Sequence, residues 1–574
     1  MTADINIMIA GAAGQGMQTI GAILGKIFVR GGCEVFAIQD NESRIRGGHN
    51  FFQIRLSHKP VLAASSPLHL LMALNKESVE KHRDEVTSSG VILFDSEKDH
   101  VPGEDPRFLG LPLERLAMEE GGNKLFSNSV AIGATLAIMG WDILILEDFL
   151  REYFSAKAEM VEGNIKAARA GYENTLKHAA GYKGPKLIPR VVSPKMFITG
   201  NEAVALGALA AGCQFISAYP MSPSTSIMMY LASKADDFDM AVEQAEDEIA
   251  AINMALGASY AGVRSLTATS GGGFSLMVEA FGLAGISETP LVIVEAQRPG
   301  PATGLPTRTE QADLLFILHA SQDEFPRVIL APGTAREAFD QTVKAFDLAE
   351  KYQVPVVILT DQFLADSYFT VDRFDVSQIR INRYLLSREE ALALKEYRRY
   401  QITDSGVSPR AVPSSIEFEV VADSHEHNED GHITEDARLR KTMVEKRFQK
   451  LKGLTTEMIP PNRIGDQKAD LLLVGWGSTY GPMAEAIETL MGEGVPVKGI
   501  HLSEIWPFPQ AHLERALDGI RRWAVVENNY TGQLARLIQM ELQKKPDGNI
   551  LKYTGRPFMP DEIVSSFRRE VLSL

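Results

Sequence analysis

Short apolar runs, each closed by glycine, proline or serine, recur along the chain. Ile5 to Ala10, Gln214 to Ala218, Ser265 to Thr269, Leu291 to Val294, Arg327 to Leu330 and Val354 to Leu359 have strand length. Leu471 to Val474, Val497 to His501 and Ala524 to Glu527 continue the pattern, Val91 to Asp95 adds a strand near the front, and Phe51 to Leu56 alternates. Unbroken apolar runs of this length are expected of buried strands, and the turn residues after them mark where the chain leaves the sheet. Between them lie segments of helical length and period: Met17 to Phe28, the stretch from Ser129 to His178, Thr334 to Tyr352, and a helix from Met483. Alternating strand and helix predicts an α/β chain with mostly parallel sheets.

Breaks in the pattern divide the chain. Gly184 to Lys195 is rich in Pro and Lys and reads as a linker. The expected domains are 1–190, 191–369, an irregular connecting region 370–465, and 466–574. Within the connecting region, Leu439 to Leu451 reads as a basic amphipathic helix with a solvated face. His425, His427 and His432 stand among acids; metal binding and a polar loop are both open, and no zinc-like spacing with cysteine favours the metal.

Composition narrows the class. A length of 574 residues, 45% hydrophobic and 23% charged, allows several cores. The net charge of -16 disfavours nucleic-acid or anionic-membrane binding, because both need a basic footprint. Only two cysteines occur, Cys33 and Cys213, both in apolar surroundings. They cannot supply a four-cysteine iron–sulfur site and give no disulfide framework. The first ten residues lack the basic region of a signal peptide, and no run of eighteen apolar residues exists. The expectation is a cytoplasmic protein that neither spans nor binds a membrane.

Three motifs carry candidate chemistry in the 191–369 segment. Tyr219-Pro220-Met221-Ser222-Pro223 follows one strand, Thr269-Ser270-Gly271-Gly272-Gly273 follows another, and between them lies the helix-like run from Glu246 to Gly257. Open α/β sheets place their sites at such strand ends. Glu243, Glu246 and Asp247 suit the first turn of a helix. Glu248 differs, because Ala251, Ile252 and Ala255 share its helical face. A carboxylate on a buried face is costly without a partner. Arg298, just past an apolar strand, and Arg308 compete as the cation for an anionic substrate; either also fits an ordinary surface loop. In the first domain, Gly11-Ala12-Ala13-Gly14-Gln15-Gly16 joins a strand to a helix N-terminus, where free N–H groups can hold an anion or simply make a tight turn. Arg44 and Arg46, beside Gly47-Gly48, suit either a phosphate or carboxylate or a domain contact.

Taken in order, these motifs resemble those of the 2-oxoacid:ferredoxin oxidoreductases. Glu248 with Ala251, Ala255 and Gly257 is similar to the glutamate helix of thiamine-diphosphate enzymes. Thr269-Ser270-Gly271 resembles the turn of their pyrimidine-binding domain. Tyr219-Pro220-Met221-Ser222-Pro223 resembles the family's Tyr-Pro-Ile-Thr-Pro, with Ser222 where Thr is usual, so packing or substrate preference is open to change there. The glycine turn and Ser43-Arg44-Ile45-Arg46-Gly47-Gly48 resemble the γ domain, and the segment from 466 resembles the transketolase C-terminal domain, with a role in assembly. Within the family the chain is most similar to α subunits that act on 2-oxoglutarate and carry the γ domain in front.

The resemblance implies the following expectations. Glu248 activates thiamine diphosphate, and Thr269, Ser270, Gly271 and Gly272 line its pyrimidine side. Tyr219, Ser222, Pro223, Arg298 and Arg308 are the substrate-binding candidates. Gly14, Gly16, Arg44 and Arg46 are the coenzyme A candidates. The Gly-Asp-Gly…Asn pattern that holds pyrophosphate through a divalent metal is absent, as is any cluster-binding cysteine set. Mg2+ and a [4Fe-4S] cluster are therefore expected on a β subunit, in an (αβ)2 heterotetramer that exchanges electrons with ferredoxin. Pyruvate, branched-chain and aryl 2-oxoacids are alternative substrates. A non-catalytic nucleotide-binding scaffold is the alternative of another class.

Overall fold

The computed structural model describes residues 4–42, 47–98, 104–155, 157–178 and 186–573. The chain is α/β throughout and divides into two compact units, Met1–Ile198 with Ser367–Phe374, and Thr199–Asp366 with Asp375–Leu574.

The first unit is built on an eight-stranded mixed sheet. Its central strand Asp4–Ala13 pairs parallel with Leu68–Ala73 and antiparallel with Gly47–Ser57. Ile5 to Ala10 are buried without a break, as a strand covered on both faces requires. The helix Met17–Arg30 follows at once, with Ile20, Leu24, Ile27 and Phe28 on its buried face. Gly16 caps it at a φ of 84°, a conformation that suits glycine. The strand Tyr368–Asp372, which straddles the expected end of the second domain at 369, pairs antiparallel with Glu34–Asn41 in this sheet.

The second unit holds two sheets. The larger has seven strands in the order Glu504–Trp506, Val328–Leu330, Pro355–Asp361, Leu291–Gln297, Ser265–Thr269, Phe215–Ala218, Ala241–Gln244. All its pairings are parallel except that of the first strand. That strand comes from the C-terminal part of the chain and closes the sheet's edge. The second sheet, Leu471–Trp476 with Lys498–Leu502, Arg522–Glu527 and Gly548–Leu551, is parallel apart from its edge strand Asn462–Gly465. One apolar core runs from Ile252, Phe274 and Ile293 through Ile317 to Trp476 and Leu534, so the two layers bury a common surface.

The connecting region carries little strand, and several of its cations are buried, Arg399, Arg410, Lys446, Arg447 and Lys450 among them. The helix Ala437–Glu457 buries Met443, Lys446, Arg447, Lys450 and Leu454, which corrects the expectation of a basic solvated face. Lys446 and Lys450 reach the fully buried Glu288 at 2.7 and 2.5 Å. Two buried ammonium groups around one carboxylate explain why a charged helix turns inward. His427 of the histidine segment is also buried, with its ring 3.9 Å from that of Tyr400. Cys33 and Cys213 are buried and form no disulfide, and burial pushes both thiols up to about 12.

Candidate active site

The helix Glu248–Tyr260 begins at the glutamate itself. Asp247 caps it in an extended conformation and accepts from the Ala250 N–H at 2.7 Å. Asp247 thus carries out the capping, and Glu243 and Glu246 stay exposed. Glu248 is left to turn inward, 3% exposed. Its Oε1 has no hydrogen-bond partner among the described residues. Burial raises its pKa above the ordinary carboxylate value, the neighbouring Asp247 adds to the rise, and Arg298 opposes it.

Glycine makes room for that oxygen. A Cβ at Gly273 would stand 2.4 Å from Glu248 Oε1 and 2.1 Å from Thr269 Oγ1. Gly273 sits in the first turn of Gly271–Ile286, the helix that follows the Thr269-Ser270 turn. Thr269 and Ser270 are fully buried. Ser270 occupies the cap position without capping, and its hydroxyl has no partner among the described residues. Gly272 is exposed, with only the Ala302 carbonyl near its open face. Gly273 was within reach of the sequence, as the third glycine of the run after Ser270, yet only the packing shows that it is the one whose missing side chain makes room for Glu248.

Arg298 stands directly after the strand Leu291–Gln297 and donates from Nη1 to the Ser222 carbonyl at 2.8 Å. Burial lowers its pKa, and Glu248 counters that shift. Arg298 is therefore anchored on the Ser222 turn and acts on Glu248 through its charge. Arg308 is packed elsewhere, its Cβ 3.2 Å from the place a side chain at Gly555 would take. Pro223 is buried, Ser222 half-buried, and Tyr219 39% exposed. The turn has a support that its motif does not reveal: buried Asn201 donates to the Pro223 carbonyl at 2.8 Å and to Ser226 Oγ at 2.7 Å.

The C-terminal layer holds the loop that leads from Arg308. Gln311, fully buried, donates its backbone N–H to the Asn528 carbonyl at 2.7 Å and its side chain to the Trp476 carbonyl at 3.0 Å. Asn529 reaches the Gln311 carbonyl, and Gln533 reaches that of Ala312.

In the first unit, Gly14 and Gly16 line a cavity of about 290 Å³ together with Asp95, Lys98, Lys124 and Asn128. Arg44 and Arg46 lie outside the described residues.

A buried carboxylate with an orphaned oxygen, under a Thr-Ser-Gly turn and beside an arginine, can be set against sequence relatives. Residues 206–446 match the family described as "Pyruvate flavodoxin/ferredoxin oxidoreductase, thiamine diP-bdg". Residues 6–174 match "Pyruvate ferredoxin/flavodoxin oxidoreductase", and 469–563 match "Pyruvate:ferredoxin oxidoreductase core domain II". The chain is 33% identical to 2-oxoacid:ferredoxin oxidoreductase 2, subunit alpha, of Aeropyrum pernix, over 99% of this chain and 97% of that one. The chain belongs to the 2-oxoacid:ferredoxin oxidoreductase α subunits. It is also 29% identical to the 2-oxoglutarate oxidoreductase subunit KorA of Mycobacterium tuberculosis, over 98% of this chain and 90% of that one. Among solved structures, the 2-oxoglutarate:ferredoxin oxidoreductase of Magnetococcus marinus, with 2-oxoglutarate, coenzyme A and succinyl-CoA bound, aligns with a TM-score of 0.91. That alignment covers 99% of each chain at 32% identity. This α subunit is thus an oxidoreductase subunit with a thiamine-diphosphate-binding domain, as its three motifs led one to expect.

Proposed function

We propose that this α subunit, with its γ-type domain in front, serves a 2-oxoglutarate:ferredoxin oxidoreductase. The reaction is coenzyme A-dependent oxidative decarboxylation of 2-oxoglutarate to succinyl-CoA and CO2, with electrons passed to ferredoxin, or the reverse carboxylation. The observation that carries the reading is the orphaned Oε1 of Glu248, dry and aimed past Gly273.

That donor set fits thiamine diphosphate. Glu248 would accept a hydrogen bond from N1′ of the aminopyrimidine, which lies on the Thr269, Ser270, Gly271 and Gly272 side. Away from water such a bond is strong and biases the ring's tautomer. When bound, the cofactor supplies the carbanion chemistry that lets a 2-oxoacid lose CO2. Arg298 would pair with the substrate carboxylate, within a wall formed by Tyr219, Ser222 and Pro223. Its anchor on the Ser222 carbonyl, inside the Tyr219–Pro223 motif, favours it over Arg308. Gly14 and Gly16, with Arg44 and Arg46 by sequence, are the coenzyme A candidates.

Two cysteines and no pyrophosphate-metal motif leave Mg2+ and the [4Fe-4S] cluster to a β subunit, in an (αβ)2 assembly in the cytoplasm. Among the described residues no helix is long and apolar enough to cross a membrane. The relatives named for 2-oxoglutarate support that substrate, whereas the family descriptions name pyruvate. Turnover of the purified complex on a panel of 2-oxoacids separates them. Highest kcat/KM on 2-oxoglutarate is expected, and a clear preference for pyruvate or a branched-chain acid would overturn the assignment.

A further inference from the structure

Three carboxyl groups beside the Thr269-Ser270 turn, Glu295 and Asp361 buried and Asp313 half-buried, are not used by the reaction as described above. Glu295 is 0% exposed and Asp361 1%. Asp313 stands at the start of the short helix Leu314–Leu318. Asp361 has its own donors, the Ser478 hydroxyl and the Leu364 N–H. Glu295 has none: neither oxygen meets a donor among the described residues. The charged groups that face Glu295 are Asp313 and Asp361, and Asp313 in turn faces Glu295 and Glu310. All of these are acids.

Ionised carboxylates only accept hydrogen bonds, so two of them in a dry site repel and leave each other unsatisfied. Glu295 lies on the same face of its strand as Gln297, whose side chain takes the Asp313 N–H, so the strand brings the Glu295 carboxyl to the side of Asp313. A single proton between them removes the repulsion and gives each group a partner. Burial pushes both groups up, Asp313 to about 6 and Glu295 well beyond the carboxylate range.

The pair touches the turn. A Cβ at Gly271 would stand 2.3 Å from Asp313 Oδ2, so the carboxyl of Asp313 is packed against the first residue of the helix after Ser270. Glu295 is the register partner of Thr269 in the parallel sheet. From the other side, the Gln297 side chain accepts the Asp313 N–H at 3.0 Å, and Asn529 and Gln533 fasten the carbonyls of Gln311 and Ala312. Asp313 is therefore clamped between the C-terminal layer and Gly271.

We propose that Glu295 and Asp313 share one proton, and that this pair is the positioning device that holds the Thr269–Gly271 turn in place beside Glu248. That the turn serves the cofactor rests on the thiamine reading; the shared proton does not. One negative charge on Asp313 at the N-terminal end of Gly271–Ile286 is favourable. A second charge, on Glu295, would push Asp313 against Gly271. A group whose folded pKa is raised contributes stability that is complete below its unfolded value and is lost as pH rises through the folded one. The turn should therefore loosen on the alkaline side.

Infrared spectroscopy and pH-dependent melting of the full-length chain with the subunit it purifies with test this. The wild type should show a protonated-carboxyl stretch at neutral pH, absent in Glu295→Gln. Melting temperature should fall with rising pH in the wild type, and by about one proton's worth less in Glu295→Gln, whose amide donates without titrating. Glu295→Leu should lose at least about tenfold in kcat at neutral pH, and Glu295→Gln should recover most of it. Absence of the carboxyl band in the wild type, or an unchanged pH slope in Glu295→Gln, overturns the shared proton. A Glu295→Leu enzyme with wild-type kcat overturns the positioning role. If the band and slope appear as stated while Glu248→Gln turns over normally, the shared proton stands and the thiamine reading fails.

Discussion

Glu248 Oε1 occupies the space that a side chain at Gly273 would need, 2.4 Å from the position of a Cβ there. The two residues come from the first turns of different helices, one before and one after the strand Ser265–Thr269. Their contact fixes where the buried, unpartnered Oε1 of Glu248 points.

Gly273→Ala separates propensity from packing. In an exposed helix the change would gain about 1 kcal/mol. Here the methyl meets Glu248 Oε1 and Thr269 Oγ1, both buried, and overpacking of this kind costs about 1–3 kcal/mol. Melting temperature should fall. Turnover should drop by about 10²-fold, the scale of a misplaced catalytic group. A stabilised, active variant would mean that the carboxylate is free to move aside.

Glu248 itself should weaken the chain it serves. Its folded pKa is raised, so its favourable contribution is complete below the unfolded carboxylate value and is lost as pH rises through the folded one. Without cofactor, Glu248→Gln should therefore melt higher than the wild type at neutral pH, and the difference should shrink in acid. Thermal melts at several pH values check this. The kcat profile of the wild type should also lose activity in acid at a pH above the ordinary carboxylate range.

Glu288 has the opposite sign. Burial alone would raise it, but Lys446, Lys450 and Arg399 hold it well below the usual range. Its contribution is present above the unfolded carboxylate pKa of about 4.3 and is lost as pH falls through the folded value. Glu288→Ala would leave two lysines buried without a counter-charge, at a cost of about 3–5 kcal/mol. Denaturant unfolding at pH 7 measures the loss, and the gap between variant and wild type should narrow toward pH 3.

Much of this is legible in the sequence. The central strands are buried on both faces, so Val354 to Leu359 and Leu471 to Val474 read as apolar runs. Glu248 stood out because its own helical face is apolar, and the structure buries it while Glu246 stays exposed. The edge strand Ala241–Gln244 is largely exposed and has no apolar run to announce it. Leu291 to Val294 read as a strand too short, because Glu295 breaks the run although the strand continues to Gln297. The same habit of taking charge for solvent hid the buried face of Ala437–Glu457. A partner many residues away, such as Glu288 for Lys446 or Asp313 for Glu295, leaves no local mark in a sequence.

The most direct test of the central claim compares Glu248→Gln with Glu246→Gln in the complex with the subunit it purifies with. Glu248→Gln keeps size and polarity but removes the carboxylate; it should still assemble and bind thiamine diphosphate. Its turnover should fall by about two orders of magnitude or more, with slower exchange of the thiazolium C2 proton. Glu246, exposed and outside the helix that Glu248 begins, should tolerate the same change. Wild-type turnover in Glu248→Gln, or a loss found in Glu246→Gln instead, would contradict the assignment of Glu248 as the thiamine-activating carboxylate.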